Sequence, residues 1–373
     1  MAGDKRYIQS HCGLRGIAAS LVVAYHLQFG AATLLPFESA TAFFRRGYLW
    51  VDLFFILSGF IISLTTQPAG RWLSRAEVVA FLRHRFARIY PLHAFCLFYF
   101  TVFLGIAAIY ESTTTGAIPA RWSGEGMLSL LVELLLLHAW GIGHSIPWNI
   151  PSWSISAEIF AYICYPFMLI LGLYRIGWAV MLAAAIGFFG WIAASTGSLD
   201  IISGLAPFRC LAGFAVGMLL FHWRGCWAAL PDWLLTLIQL LAVAAIVTLL
   251  ALPFNDSFII APFALLVGTS WEDRGWVARA LSARPFRFLG DISYSIYLNH
   301  VCLIQIIFFF WSRLVEKTGI MPADMSRILW IMLVFGVTLL ASTVTYRYVE
   351  RPMRRYLIRG RGERASALPA AVG

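Results

Sequence analysis

Two side chains of the first apolar stretch have the types and the spacing of a functional pair inside a helix. In LRGIAASLVVAYHLQ, Arg15 and His26 are eleven residues apart. Eleven residues make close to three helical turns, so both side chains share one face, about 16 Å apart along the axis. An ionisable residue in an apolar span indicates function by default. His26 is a candidate general base or nucleophile, although such a histidine can also serve only as a hydrogen-bond donor between helices.

Three more ionisable residues lie in apolar stretches and are candidates to join His26. Asp52 lies in GYLWVDLFFILSGF, Glu158 in WSISAE, and His300 closes GDISYSIYLNH. The predicted topology places these three residues and His26 in the middle to outer part of a membrane. Asp52 or Glu158 would there orient the His26 imidazole as in a triad. Each also has a structural interpretation: Asp52 as the partner of an Arg or His, Glu158 as a local cap, and His300 as an interhelical donor.

A basic cluster in FLRHRFARIYP is a candidate anion site. Arg85 and Arg88 are one turn apart if this stretch is helical, and fork-shaped guanidinium groups on one face suit a phosphate ester. Arg15 is a possible third member. The alternative is ordinary positive charge on a cytoplasmic loop.

Polar and aromatic residues near Glu158 and His300 are candidates to line a substrate cavity. They are Trp153, Ser154, Ser156, Tyr297 and His300 itself. The six cysteines are scattered without metal-ligand spacing, so we expect no metal and interpret them as buried hydrophobic residues.

The composition places these candidates in a membrane protein. The 373 residues are 60% hydrophobic and only 12% charged, with a mean hydropathy of +0.78, whereas soluble domains carry about 25% charged residues. Soluble, disordered and collagen-like classes are excluded, and we predict an all-α polytopic membrane protein. The net charge of +10 lies in short clusters between apolar stretches, which favours contact with membrane lipids or an anionic ligand over nucleic acid.

Ten apolar stretches are long enough to cross a bilayer. They are residues 13–34, 47–66, 90–110, 153–173, 176–196, 203–222, 233–252, 256–271, 291–311 and 326–346. The basic N-terminus (Lys5, Arg6), the loop 67–89 and the tail from Arg351 to Arg364 must share the cytoplasmic side. An even number of spans is therefore required, and the weak stretch 126–140, with Glu133 and His138, is expected to lie in the interface or to re-enter.

Several motifs in this order resemble the acyltransferase family 3 integral membrane proteins over about residues 9–355. They are LRGIAASLVVAYH, GYLWVDLFFILSGFII, FLRHRFARIYP, WSISAEIFAYICYP and GDISYSIYLNH with a terminal YRYVERPMRR. The resemblance implies transfer of an acyl group, usually acetyl, from cytoplasmic acyl-CoA to a hydroxyl of an extracytoplasmic glycan or lipid-linked saccharide. It also implies functional roles for Arg15 and His26 and for the paired Arg85 and Arg88.

We therefore expect one membrane-embedded domain over residues 1–373, with its core at about 9–355 and a basic cytoplasmic tail at 356–373. Some family members carry an additional hydrolase-like domain, which we do not expect here. The topology and the resemblance together imply a bacterial inner membrane. The main alternative is a transporter or flippase for a polysaccharide precursor or a small anion, in which the buried ionisable residues form a substrate path. The sequence shows no internal repeat of the kind that transporters have.

The acceptor stays open at this point. It can be an exopolysaccharide, an O-antigen, a secreted oligosaccharide, or a small lipid or macrolide, and the donor can carry an acyl group other than acetyl.

Overall fold

The computed structural model describes residues 7–27, 42–66, 72–116, 119–142, 147–319 and 324–358. Several basic residues used for the topology lie outside these ranges: Lys5, Arg6, Arg71, Arg359, Arg361 and Arg364. Residues 28–34 of the first expected span and 143–146 of the loop before Trp153 also lie outside them.

The described ranges contain α-helices and short 3-10 or π turns, and no strand. The helices are α1 (Gln9–His26), α2 (Trp50–Thr66), α3 (Arg75–Thr115), α4 (Gly124–Leu134), α5 (Trp153–Gly172), α6 (Arg175–Ser195), α7 (Ala206–His222), α8 (Arg224–Ala228), α9 (Asp232–Ala251), α10 (Ile260–Ser270), α11 (Trp276–Leu281), α12 (Arg284–Asp291), α13 (Ser293–Thr318), α14 (Asp324–Thr345) and α15 (Arg351–Ile358). The all-α prediction is confirmed.

Seven helical segments are long and apolar enough to cross a membrane. They are Gly47–Thr66, Arg75–Thr114, Ile150–Gly172, Arg175–Ser195, Asp232–Ala251, Ser293–Leu314 and Leu329–Ile358. The shorter apolar helices Ala206–His222 and Asp256–Ser270, together with α1, fall on the other three expected spans. The protein is an integral membrane protein, while the count of ten and the cytoplasmic placement of both termini stay predictions.

The stretch 126–140 forms only a short helix and a 3-10 turn. Helix α4 has 11 residues and reaches about 16 Å, roughly half of the hydrocarbon thickness. Its Glu133 is 1% exposed and accepts hydrogen bonds from the backbone N–H groups of Trp148 and Asn149 and from Ser152 Oγ. His138 contacts the same serine. Both residues are buried inside the protein rather than lying on an interfacial surface, because the carboxylate satisfies the backbone of the loop that leads into α5.

The close crossing of α2 and α7 depends on glycine. A Cβ at Gly59 would lie 2.0 Å from the carbonyl oxygen of Phe214, and one at Gly217 would lie 2.0 Å from that of Ile56. Small residues let helix backbones approach in membrane proteins. This approach fixes α2 in the centre of the molecule, where its side chains reach α1, α7 and α10.

Helix α3 carries the predicted basic cluster on a continuous helix. It begins at a capping box between Ser74 and Glu77 and contains Pro91 in its interior. With 41 residues it is about 60 Å long and therefore longer than a bilayer is thick. The segment that we predicted as a loop is thus helical from Arg75 onward, and Arg85 and Arg88 do lie one turn apart.

Candidate active site

Three arginines from two helices line one cavity. Arg15 of α1 and Arg85 and Arg88 of α3 surround a space of about 90 Å³, which we call the arginine cavity. Helix α2 contributes Ser58, and α5 contributes Glu158. The sequence predicted that these three arginines share a site, and the structure brings them together.

Glu158 lies among the arginines. Its carboxylate accepts a 2.5 Å hydrogen bond from Ser58 Oγ on α2. Ser154, one helical turn earlier, lines the same cavity, as residues i and i+4 share a helix face. We expected Glu158 beside His26, whereas it lines the same cavity as Arg15, the other functional group of α1.

Asp52 has a cationic partner in α7. Arg209 donates to both of its carboxylate oxygens, at 2.9 Å from Nε and 2.7 Å from Nη2, and both side chains are 0% exposed. The guanidinium also lies over the Trp153 ring, 5.1 Å from its centroid. The contacts of Asp52 therefore match its structural interpretation, in which it is the partner of an arginine. Arg209 was not singled out from the sequence, although a lone arginine in an apolar stretch is itself a signal.

Of the five residues of α5 and α13 that we predicted to line a substrate cavity, two line the arginine cavity. Ser154 and Tyr297 both line the arginine cavity, and their hydroxyl oxygens are 2.7 Å apart. Ser156 points elsewhere, since it donates to the carbonyl oxygen of Leu136 and accepts from the backbone N–H of Ala139. Trp153 is buried against Arg209.

His26 and His300 are direct neighbours, although 274 residues separate them in the chain. His300 Nε2 is 3.1 Å from His26 Nδ1, and the ring centroids are 4.7 Å apart. His26 Nδ1 also lies 3.0 Å from the carbonyl oxygen of Val22, while His300 Nδ1 lies 2.7 Å from that of Tyr297. The imidazole of His300 therefore contacts a ring nitrogen of His26, whereas we predicted a carboxylate, Asp52 or Glu158, in this position.

These contacts determine which ring nitrogens carry protons. A carbonyl oxygen can only accept, so Nδ1 of a neutral His300 carries its proton and Nε2 is an acceptor. The same reasoning assigns a proton to Nδ1 of His26, which faces both the Val22 carbonyl and His300 Nε2. Nε2 of His26 then holds the lone pair, as a general base requires.

His26 lines a second cavity, which we call the histidine cavity. It has a volume of about 460 Å³, and half of its lining residues are apolar, while polar side chains come from α1, α3 and α13. Among them are Glu111, Gln305, Ser312 and Arg313.

Helix α13 borders both cavities, with Tyr297 on the arginine cavity and Val301 on the histidine cavity. The Phe54 and Tyr297 rings pack edge to face, 5.9 Å apart, and both line the arginine cavity. On this helix Tyr297, which lines the arginine cavity, and His300, which contacts His26, are three residues apart.

Glu350 is a buried acidic residue near the arginines that sequence reasoning missed. It lies in a π-helical turn, Tyr346–Glu350, is 8% exposed and accepts a hydrogen bond from Ser295 Oγ. Its charge lies within electrostatic range of Arg15 and Arg88. The signal for it in the sequence is its position in the terminal motif YRYVERPMRR. Within the described ranges no cluster of three or more His, Cys, Asp or Glu side chains could hold a metal ion.

Comparison with known proteins gives one family and several relatives. The acyltransferase domain family matches residues 12–347. YrhL of Bacillus subtilis (strain 168), assigned by name to peptidoglycan O-acetylation, is 27% identical over 94% of this chain and 55% of its own. The peptidoglycan O-acetyltransferase OatA of Listeria monocytogenes is 22% identical over 94% and 56%. The acyltransferase MdmB of Streptomyces mycarofaciens is 32% identical over 43% and 38%.

The chain spans about half the length of the first two relatives. No solved structure gives a significant match. The family match covers nearly all of the described helices and every residue that lines the two cavities, while Glu350 lies just beyond it. The chain therefore belongs to the acyltransferase domain family, in agreement with its resemblance to acyltransferase family 3.

Proposed function

We propose that this protein is a membrane O-acetyltransferase that moves an acetyl group from cytoplasmic acetyl-CoA to a hydroxyl of an extracytoplasmic saccharide. The observation that supports this most is the arrangement along α1. Arg15 lines a cavity with two further arginines, and His26 lines a separate cavity, about 16 Å further along the helix. One end suits an anionic donor, and the other has the base that an acceptor hydroxyl needs.

The arginine cavity is the proposed donor site. Coenzyme A is anionic through its phosphates, and Arg85, Arg88 and Arg15 can bind phosphate oxygens through paired N–H groups. Ten spans with both termini in the cytoplasm would put this cavity on the cytoplasmic side of a bacterial inner membrane. The extended pantetheine arm would then carry the thioester past Tyr297 toward His26, so that the nucleotide stays on its own side.

His26 acts as the general base in this proposal. Its Nε2 takes the proton of the acceptor hydroxyl while the oxygen attacks the thioester carbonyl. The new C–O bond forms, the C–S bond breaks, and the departing thiolate of CoA takes up the proton from His26. A direct transfer of this kind needs no acyl-histidine intermediate.

His300 is the proposed positioning residue for His26. When Nε2 of His26 is protonated, its Nδ1–H still donates to Nε2 of neutral His300. The ring therefore keeps its orientation through the proton transfer, which is the role that the carboxylate has in a Ser-His-Asp triad.

The remaining predicted residues support the two sites. Glu158, Ser154 and Tyr297 line the arginine cavity together with the three arginines. In this proposal Glu158 orients the arginines, and the pantetheine arm passes Ser154 and Tyr297. Asp52 acts through Arg209, which holds Trp153 at the start of α5. Ser156 fixes the turn after α4.

The names of two relatives suggest the acceptor class. Because YrhL and OatA are named for peptidoglycan O-acetylation, we propose a cell-surface saccharide of that kind as the acceptor. Gln305, Ser312 and Glu111 of the histidine cavity can hydrogen-bond to sugar hydroxyls.

The test is transfer of labelled acetyl by purified protein in nanodiscs, with peptidoglycan fragments as acceptor and free thiol measured in parallel. We expect labelled glycan and an equal amount of free CoA with the wild-type protein, and neither with His26→Ala. Thiol release without labelled glycan would reject the saccharide acceptor. No thiol release from acetyl-CoA would reject the donor and favour the transporter interpretation, and an acetyl group retained on His26 would replace the direct transfer by a covalent one.

A further inference from the structure

A third cavity lies beside the first turns of α1, outside the two already described. It has a volume of about 410 Å³ and is lined by Tyr7, Arg284, Arg287, Phe288 and Asp291. Tyr7 precedes α1, and the other four residues belong to α12, which packs along α1. The rings of Tyr7 and Phe288 are 54% and 49% exposed, so aromatic faces and guanidinium groups are accessible together.

This cavity is adjacent to the arginine cavity. Asp291 Oδ1 accepts hydrogen bonds from Tyr7 Oη at 3.1 Å and from Cys12 Sγ at 3.5 Å. Arg15 follows Cys12 by nearly one turn of α1, and Ser293, two residues after Asp291, lines the arginine cavity. Tyr7 lies eight residues before Arg15, about 12 Å along the helix direction. The three cavities thus follow one another along α1.

The side chains of the third cavity match a purine nucleotide phosphate. Exposed aromatic rings stack on nucleobases, and two arginines one helical turn apart suit a phosphate monoester. The Nε of Arg287 is buried and has no hydrogen-bond partner among the residues that the structure describes. The Asp291 carboxylate keeps acceptor capacity for an exocyclic amine.

We propose that this cavity binds the adenosine 3′-phosphate end of the acyl donor, with Arg284 and Arg287 on the 3′-phosphate and Tyr7 and Phe288 against the adenine. This inference rests on the proposed function. The pyrophosphate then lies at the arginine cavity and the pantetheine arm beyond it. A lipid headgroup offers the same phosphate chemistry, but an adenine is the ligand that also uses the two aromatic rings and Asp291.

Direct binding of CoA and of 3′-dephospho-CoA to the protein in phosphatidylcholine nanodiscs tests the proposal. The wild-type protein is expected to bind CoA about tenfold more tightly than 3′-dephospho-CoA, because charge-assisted hydrogen bonds to the one additional phosphate can contribute that much. Arg284→Gln with Arg287→Gln is expected to bring the two affinities within about twofold. Arg175→Gln is the matched control, since Arg175 is an exposed arginine at the start of α6, and it should keep the wild-type ratio.

Each outcome is decisive. Equal affinity of the wild-type protein for the two ligands would overturn the proposal. This comparison needs no variant, so the proposal can be tested even if the double variant does not fold. An unchanged ratio in the variant would overturn it as well. Loss of the wild-type preference in phosphatidylglycerol nanodiscs would assign the cavity to a lipid headgroup instead. Failure to bind either ligand would reject the acetyl-CoA donor of the proposed function, and this site with it, whereas CoA binding without discrimination rejects the site alone.

Discussion

The arginine cavity and the histidine cavity share helices α1, α3 and α13 but differ in how their polar groups are held. Around the arginine cavity, charged side chains of both signs face one space: Arg15, Arg85 and Arg88 with Glu158. At the histidine cavity, the His26 ring is held by a backbone carbonyl and by another neutral ring. An anion can bind to any of the three arginines, whereas proton transfer in the histidine cavity depends on one atom, Nε2 of His26.

The difference predicts that single substitutions have unequal effects at the two sites. Loss of one arginine leaves two others for an anion, but loss of His26 leaves no ring nitrogen in its place. The arginine cavity should therefore lose affinity in steps, and the histidine cavity should lose turnover in one step.

His26→Ala is expected to have the largest effect. Removal of a general base typically lowers the rate by about 10²–10⁴-fold, so kcat should fall by that factor while KM for acetyl-CoA changes little. Steady-state kinetics of thiol release with saturating acceptor measures both constants. A comparable rise in KM would place His26 in donor binding and remove the distinction between the cavities.

The Asp52–Arg209 pair should act on stability rather than on proton transfer. Asp52→Ala leaves an unpaired buried guanidinium and is expected to destabilise the protein by about 3–5 kcal/mol, seen as a lower temperature of thermal inactivation. Asp52→Ala with Arg209→Met removes both charges and should recover most of this loss. If folded Asp52→Ala protein instead lost turnover as His26→Ala does, Asp52 would belong to the chemistry.

Substitution of the paired arginines should weaken donor binding and spare the chemical step. Arg85→Gln and Arg88→Gln each remove charge-assisted hydrogen bonds and should raise KM for acetyl-CoA about tenfold, with kcat within about twofold. Arg83→Gln is the matched control, because Arg83 is an exposed arginine of the same helix that does not line the arginine cavity. A fall in kcat at unchanged KM would contradict a donor-binding role.

His300→Phe should give the smallest effect, because it removes one neutral hydrogen bond to the base. A bond of this kind contributes about 1 kcal/mol, which corresponds to a loss of about fivefold in kcat. A positioning role also predicts a shift in the pH dependence of kcat, since the ring that accepts from His26 Nδ1 is gone. An unchanged pH profile with a raised KM for the glycan would make His300 a substrate contact, as the sequence first suggested.

The arginine site was largely predictable from the sequence, and the partners of the acidic residues were not. Arg15, Arg85 and Arg88 stand out because charge is rare in apolar stretches and helical spacing is regular. The pairing of Asp52 with Arg209 spans 157 residues and depends on the close crossing of α2 and α7, which no local pattern encodes. Sequence position predicts the depth of Glu158 in the membrane but not the rotation of α5, and that rotation directs its carboxylate to Ser58.

The same distinction between local sequence patterns and long-range contacts applies to the fold. Hydropathy predicted every long apolar helix, because a span must bury its backbone polar groups within itself. It did not predict that α3 extends from Arg75 through the basic cluster, nor that Glu133 organises the turn into α5. Both depend on tertiary contacts and capping rather than on apolar length.

The most direct measurement is acetyl transfer in sealed vesicles that contain the protein in one known orientation, with acetyl-CoA on one side and a peptidoglycan-fragment acceptor on the other. We predict labelled glycan only when acetyl-CoA is on the side of the arginine cavity and the acceptor is on the side of the histidine cavity, with His26→Ala inactive in both arrangements. Equal transfer in either arrangement, or transfer only when donor and acceptor share a side, would contradict two separate cavities that serve opposite faces of the membrane.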